Sequence, residues 1–413
     1  MKTETVKKNM LWNAAGNIVY LLSQWVITVL VTVLGGFEDA GILSVAMSVT
    51  ATFQTIAMFG IRSFQVSDLK EKYTDTCYVG LRSLTCVLAM FLCMLTSLFG
   101  GYSGKQLLAV FLFMAFRLVE DYSDVLHGIA QKNDRLDIAG KSFFMKGIGI
   151  LVCFLAGYAL TKQLSVGLLL MMLFSLASTL FYDFPSVRKL SDFRLFDTLS
   201  HCARLARETL PLCIYLFLFT ALTTVPRLIL EKQCGEVILG AYASIYAPAT
   251  LLQSATGYLY NPFAPAFAAH RQAGEERRFD RLFFRIVLVI FIISAVVMIA
   301  AQFLGEFALV LVFKEQIREY VYLLNPILIV NFLSSCFGFF CMVAVVLRKF
   351  KLLLISVSVG FVSTTVLAWV LIGACGVNGT SYGLIAALIL SCVILGSGIL
   401  FRKKSEGSVS EQA

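Results

Sequence analysis

Four ionisable residues, Arg117, Glu120, Asp121 and Asp124, stand late in an apolar run that begins near Leu107. At ~100° per residue they share an arc of about 100° on a helix. At a rise of ~1.5 Å per residue, Arg117 lies about 15 Å from the start of the run, near the middle of a bilayer. A charge at that depth costs a few kcal/mol or more unless it is paired or wetted, so this face points into protein or a water-filled space. Two chemistries suit it. Arg117, with Lys146 of the next span, can hold an anionic group of a substrate while Glu120, Asp121 or Asp124 couples the movement of a proton or sodium ion. Alternatively the charges compensate one another and clamp two helices together. Around a turn centred near residue 133, antiparallel register puts Glu120 level with Lys146 and Asp124 level with Lys141. Arg117 can also meet Asp121 at i,i+4.

The elements that position these residues follow from composition. Of 413 residues, 59% are hydrophobic and 14% charged, and the mean hydropathy is +0.83. Soluble chains are near half apolar and a quarter charged. About twelve spans are expected near 11–34, 40–64, 78–99, 106–127, 138–160, 165–187, 210–230, 237–260, 283–313, 318–347, 352–374 and 380–401. With the N-terminus inside, the inner segments hold roughly 24 of the loop Lys and Arg residues and the outer turns about five, Lys105, Lys162, Lys232, Lys314 and Arg318. Both termini are therefore expected in the cytoplasm. The net charge of +9 follows from this bias without a nucleic-acid partner. Arg62, Arg82 and Arg227 lie near span ends, where snorkelling or the inner bias explains them.

The expected division is an N-terminal six-helix bundle at 1–187, an amphipathic cytoplasmic linker at 188–209, a C-terminal six-helix bundle at 210–401 and a cytoplasmic tail at 402–413. The linker interleaves Leu and Phe with Arg, a pattern suited to the inner leaflet. Two halves of six helices are typical of transporters built from repeats.

Polar residues recur on matching spans of the two halves. Span one carries Asn13, Asn17, Tyr20 and Gln24, and span two Ser44, Ser48, Thr55 and Arg62. Span seven carries Thr220, Thr223, Thr224 and Arg227, and span eight Tyr242, Tyr246, Gln253 and Tyr260. Amides, hydroxyls and aromatic faces recognise sugars; the alternative is hydrogen bonding between membrane helices. Most of the eleven cysteines lie inside apolar runs and read as small hydrophobes. The three histidines have no metal-ligand spacing. No catalytic residue, cofactor or metal is expected. Short outer turns and inside-only histidines argue against a membrane polysaccharide polymerase or ligase.

The opening Lys7-Lys8-Asn9-Met10-Leu11-Trp12-Asn13-Ala14-Ala15-Gly16-Asn17 resembles the start of polysaccharide repeat-unit flippases. So do Ala40-Gly41-Ile42-Leu43-Ser44-Val45-Ala46, Phe59-Gly60-Ile61-Arg62, and Arg117 with Glu120-Asp121 ahead of Gln131-Lys132-Asn133-Asp134-Arg135. These are the Wzx-type proteins of the multidrug/oligosaccharidyl-lipid/polysaccharide exporter (MOP) superfamily. The resemblance implies an all-α integral membrane protein, MATE-like, with two six-helix bundles around a central cavity. It implies alternating access, and a bacterial plasma membrane. The substrate implied is an undecaprenyl-diphosphate-linked oligosaccharide moved from the inner to the outer leaflet, with membrane lipids and polysaccharide polymerase or export proteins as partners. Arg62 and Arg82 would then meet the diphosphate near the cytoplasmic entrance. The resemblance leaves open whether H+ or Na+ is coupled. A cation-coupled multidrug extruder of the same superfamily is the rival reading, with Glu120 and Asp121 as its coupling groups. The longer lipid II flippase branch is a second. The span-four face departs from a wholly cationic cavity, being as acidic as it is basic.

Overall fold

The computed structural model describes residues 2–68, 72–194 and 199–400. Lys70 and the tail at 402–413 lie outside the described residues, as do 195–198 of the expected linker. Among the described residues there are helices and no strands. Nine of these described helices are long and apolar enough to cross a membrane. The first of these spans, Leu11–Met58, is 48 residues long, which is twice what a bilayer needs.

Helix α1, Lys2–Met58, is divided at Gly36, whose φ of 75° and ψ of −168° are not helical. Only glycine adopts that backbone cheaply. Its neighbour Gly35 serves a different end. A Cβ there would collide with the Tyr158 hydroxyl, which donates to Asp39. The Gly35-Gly36 pair thus ends span one and admits a tyrosine against the turn. A short helix α2, Ile61–Ser67, continues span two beyond Gly60.

Helices α3 (Asp75–Phe99), α4 (Gly104–Lys132) and α5 (Leu136–Thr161) follow. Ser103 and Gln106 form a capping box at the start of α4, so two orphan backbone donors are satisfied reciprocally. Helix α6, Leu164–Ser178, passes through a π-helical turn at Thr179–Asp183 into α7, Phe184–Arg188. Pro185, in the first turn of α7, lacks the N–H that a regular α-ladder would use. Helix α5 packs on the first half of α1 along a glycine seam. A Cβ on Gly140 would collide with the Trp12 carbonyl, and one on Gly16 with the Gly140 carbonyl oxygen. Small residues let the two backbones approach as closely as membrane helices do.

Helix α8, Leu199–Cys234, begins within the expected linker and runs straight into span seven. Part of the expected linker is buried in protein. Phe193, Cys202 and Leu205 pack in a buried cluster with Tyr73, Cys77 and Tyr78. Glu208 of α8 accepts from Lys72 at 2.6 Å and from the Tyr73 hydroxyl at 2.9 Å. Helices α9 (Glu236–Tyr260), α10 (Ala264–Gln272), α11 (Glu276–Phe313), α12 (Leu324–Val346), α13 (Phe350–Cys375) and α14 (Asn378–Leu400) complete the chain. A 3-10 segment at Glu315–Leu323 replaces the expected start of span ten. Pro326 therefore falls in the first turn of α12, where its missing N–H costs no ladder bond.

Two compact units result. One holds the chain up to Ser244 with Val312–Lys314, and the other holds Ile245–Leu311 and the chain from Glu315 on. In the second unit α13 and α14 meet through reciprocal bonds, Ser356 Oγ to Ser391 O at 2.8 Å and Ser391 Oγ to Ser356 O at 3.3 Å. Phe267 and Phe283 each pack against Phe339 inside it in tilted pairs, with ring centroids 5.8 and 5.2 Å apart.

Candidate functional site

The charged face of α4 is half-buried or buried within the first unit and meets helices α1, α2, α3, α5 and α6 with its π-turn. At one end Asp124 lies between two arginines. Arg62 of α2 approaches to 2.5 Å and Arg82 of α3 to 3.1 Å. Arg82 is fully buried and also donates to the Ala57 carbonyl at 2.9 Å. Arg62 reaches Gln131 as well, at 3.2 Å.

Across α4, Lys146 of α5 is fully buried. Its ammonium lies 3.4 Å from Glu120 and 3.1 Å from Asp183 of the π-turn. It donates to Ser123 Oγ at 2.5 Å and to Thr179 Oγ1 at 3.0 Å. Glu120 also accepts from Ser175, and Asp183 meets His127 Nε2 at 3.1 Å. Two carboxylates, two hydroxyls and one ammonium thus satisfy each other away from water, the condition under which a buried charge is tolerated.

Arg117 is the exception. Its guanidinium lies over the rings of Phe113 and Phe116, 5.0 and 5.6 Å from their centroids. Among the described residues it makes no ion pair, although it is half-buried. Asp121 is the second exception. It is 2% exposed, accepts from Gln54 Nε2 at 2.7 Å, and leaves its other oxygen without a partner.

Several sequence expectations are corrected here. Asp124 does not pair with Lys141. Lys141 instead meets Asp137, one turn earlier on its own helix, at 3.3 Å. Lys141 and Lys146 are five residues apart, so their side chains diverge by about 140° and one helix cannot meet both. Arg117 does not pair with Asp121, because phenylalanines at i−4 and i−1 hold its guanidinium. Arg82 is not a snorkelling interfacial residue. Arg62 and Arg82 both meet Asp124. The level placed at Glu120 and Lys146 is found.

The Asn13, Asn17, Tyr20 and Gln24 stripe is half-buried on the first part of α1. Asn17 Nδ2 donates back to Asn13 O at 2.7 Å. Tyr20 packs on Phe143 at 5.6 Å and its hydroxyl faces Glu120. Gln24 Nε2 has no partner. This stripe therefore approaches the α4 face through Tyr20 and retains unmet hydrogen-bonding capacity. Tyr242 and Tyr246 are fully packed, at 0% and 3% exposure, whereas Gln253 is half-buried. Other hydroxyls join helices: Thr52 meets Thr224 at 2.8 Å and Thr32 meets Ser244 at 2.9 Å.

Sequence reasoning passed over Asp183, His127 and Gln54. Asp183 is an ionisable residue inside an apolar run, the signal that singled out Arg117. Its proximity to the span end and to Pro185 masked it. Gln54 lies on a different face from Ser44, Ser48 and Thr55, so the stripe excluded it. Among the described residues no group of three or more His, Cys, Asp and Glu side chains is placed to hold a metal.

A family model described as polysaccharide biosynthesis protein matches residues 6–269. The chain belongs to the polysaccharide biosynthesis protein family. This family member is similar to the capsular polysaccharide biosynthesis protein CapF of Staphylococcus aureus, 24% identical over 96% of this chain and 93% of the relative. Its fold is similar to that of the lipid II flippase MurJ in an inward closed conformation. The TM-score is 0.72 at 12% identity, over 94% of this chain and 87% of the other. It is also similar to the MATE multidrug transporter DinF-BH, with TM-score 0.68 at 14% identity over 97% of each chain. The family member is thus a multi-pass membrane protein with the helical fold of MOP-superfamily transporters.

Proposed function

We propose that the protein is a flippase that moves undecaprenyl-diphosphate-linked oligosaccharide repeat units from the cytoplasmic to the outer leaflet of a bacterial plasma membrane. It does so by alternating access and without catalysing a covalent step. The observation that carries this reading is Arg117: a half-buried cation, expected from the sequence near mid-membrane depth, unpaired while Arg62, Arg82 and Lys146 are all neutralised. An arginine fork over apolar rings, with nothing to neutralise it, suits a phosphate or diphosphate oxygen. Tyr20, Gln24, Asn13 and Asn17 supply the amide and hydroxyl groups that a sugar requires. The family membership and the similarity to CapF support surface polysaccharide as the pathway.

Depletion tests the reading. Cells lacking the protein accumulate lipid-linked oligosaccharide on the cytoplasmic leaflet and lose surface polymer. Cells complemented with Arg117→Ala show the same defect with folded protein in the membrane. Unchanged lipid-linked pools, together with new sensitivity to cationic compounds, turn the reading to multidrug extrusion. The unpaired carboxyl of Asp121 would then be the drug-facing group.

A further inference from the structure

Asp121 and Arg117 lie one turn apart on α4, four residues from each other, and neither has an ionic partner among the described residues. They are the two charges of the site left over when the other pairs are drawn. The groups surrounding Asp121 are Gln54 and Tyr20 of α1, Arg82 and Cys86 of α3, and Arg117 and Asp124 of α4. Arg82 is engaged by Asp124 and the Ala57 carbonyl. Asp121 therefore has one amide donor on one oxygen and nothing on the other. A buried carboxylate that is ionised needs more than one donor or a cation; a neutral carboxylic acid does not.

We propose that Arg117 alternates between the Asp121 carboxylate and the anionic group of the substrate, and that a proton on Asp121 marks the second state. When Asp121 is protonated, the guanidinium stays on Phe113 and Phe116 and is available to the substrate. When Asp121 loses its proton, the i,i+4 spacing lets Arg117 swing one turn along α4 and pair with it. Substrate binding then takes up one proton, and protonation strengthens substrate binding by the same factor, since the coupling is reciprocal. The exchange breaks and forms no covalent bond other than the carboxyl O–H, and the proton comes from solvent. Sodium fits the site poorly, because hard cations take several oxygen ligands and the group bonded to Asp121 is the N–H of the Gln54 amide, a donor. This inference rests on the reading of Arg117 as the substrate-anion residue, but its first test needs no substrate.

Infrared spectroscopy of the purified full-length protein in lipid nanodiscs, titrated with pH, reads the carboxyl directly. We expect a protonated-carboxyl band that is absent in Asp121→Asn, a variant that keeps the size of the side chain and an oxygen for Gln54. In Arg117→Ala the same band persists to a pH higher by about one unit or more, because the cation that favours the ionised form is gone. Exchanging sodium for potassium leaves the band in place. The proposal is overturned if Asp121→Asn retains the band, if Arg117→Ala titrates like the wild type, or if sodium abolishes the band. A second arm adds farnesyl diphosphate and follows proton uptake with an indicator dye. Uptake in the wild type that is lost in Asp121→Asn, with binding retained, supports the exchange; binding without uptake overturns it. Failure of the wild type to bind the diphosphate goes against the substrate reading of Arg117 and leaves the infrared outcome to decide the Arg117–Asp121 coupling.

Discussion

Inside the first unit, Asp124 meets Arg62 and Arg82, and Lys146 meets Glu120 and Asp183. Inside the second, Phe267 and Phe283 pack on Phe339, and Ser356 and Ser391 bond to each other's backbone. Ion pairs of the second unit include Arg318 with Glu306 and Glu315, and Glu275 with His270 and Arg278. All of these side chains are at least a quarter exposed, the lowest being His270 at 27%. Apolar and hydroxyl contacts are enough to hold membrane helices together. Under the proposed function, the first unit carries the desolvation penalty of its buried charges to keep the surplus pair, Arg117 and Asp121.

The sharpest way to break the comparison is Lys146→Met. It strips the only ammonium from between Glu120 and Asp183 and leaves uncompensated carboxylates in the interior. A loss of about 3–5 kcal/mol is expected, read as a fall in monodisperse protein after extraction and in the unfolding midpoint. The matching change in the second unit is Phe339→Leu. It removes ring contacts from a packed cluster but no charge, and costs about 1–2 kcal/mol in the same assay. If Phe339→Leu proves as damaging as Lys146→Met, the two interiors do not differ in kind.

A smaller effect is expected at the edge of the first unit, outside the spans. Asp68 accepts from the N–H groups of Lys72 and Tyr73, each at 3.0 Å, and from the Tyr78 hydroxyl at 2.9 Å. Burial alone would raise its carboxyl, but these donors outweigh burial and hold it below the usual carboxylate range. A depressed carboxyl stabilises the fold above its unfolded-state value and loses that contribution as pH falls through its folded-state value. Asp68→Asn should therefore cost about 1 kcal/mol at neutral pH, with the gap to wild type closing in acid. An equal gap at both pH values would remove the charge from the explanation. The least damaging change to stability is Arg117→Ala, under about 1 kcal/mol, since only contacts with two rings are lost. Yet this variant should slow translocation of lipid-linked oligosaccharide by about tenfold or more. Normal transport by Arg117→Ala would end its assignment as a substrate residue.

How much of this was legible in the sequence depends on where each partner comes from. The apolar runs give the spans because length and hydropathy are local. The level of Glu120 and Lys146 was legible because one short turn near residue 133 sets the register of two antiparallel helices. The partners of Asp124 were not, because Arg62 and Arg82 come from α2 and α3, whose azimuth about α4 is a tertiary matter. Spacing of i,i+4 suits both the packing of Arg117 on Phe113 and its pairing with Asp121, and does not choose between them. Tyr242 and Tyr246 share a face with Gln253, yet they are packed where Gln253 is half-buried. Periodicity tells which residues share a face and is silent on what covers it.

The π-turn at Thr179–Asp183 has a consequence for how the chain can vary. Such a turn accommodates one residue more than the α-helix around it. Deleting a single residue between Ser178 and Pro185 would let the turn tighten toward α-helical geometry, with the ladder bond at Pro185 still missing. The same deletion would turn everything on one side of it by about 100° relative to the other. Thr179 and Asp183 could then no longer both face Lys146. Chain length within this one turn is therefore constrained as tightly as residue identity. An insertion or deletion here acts as a charge mutation, though it need remove no charged residue at all.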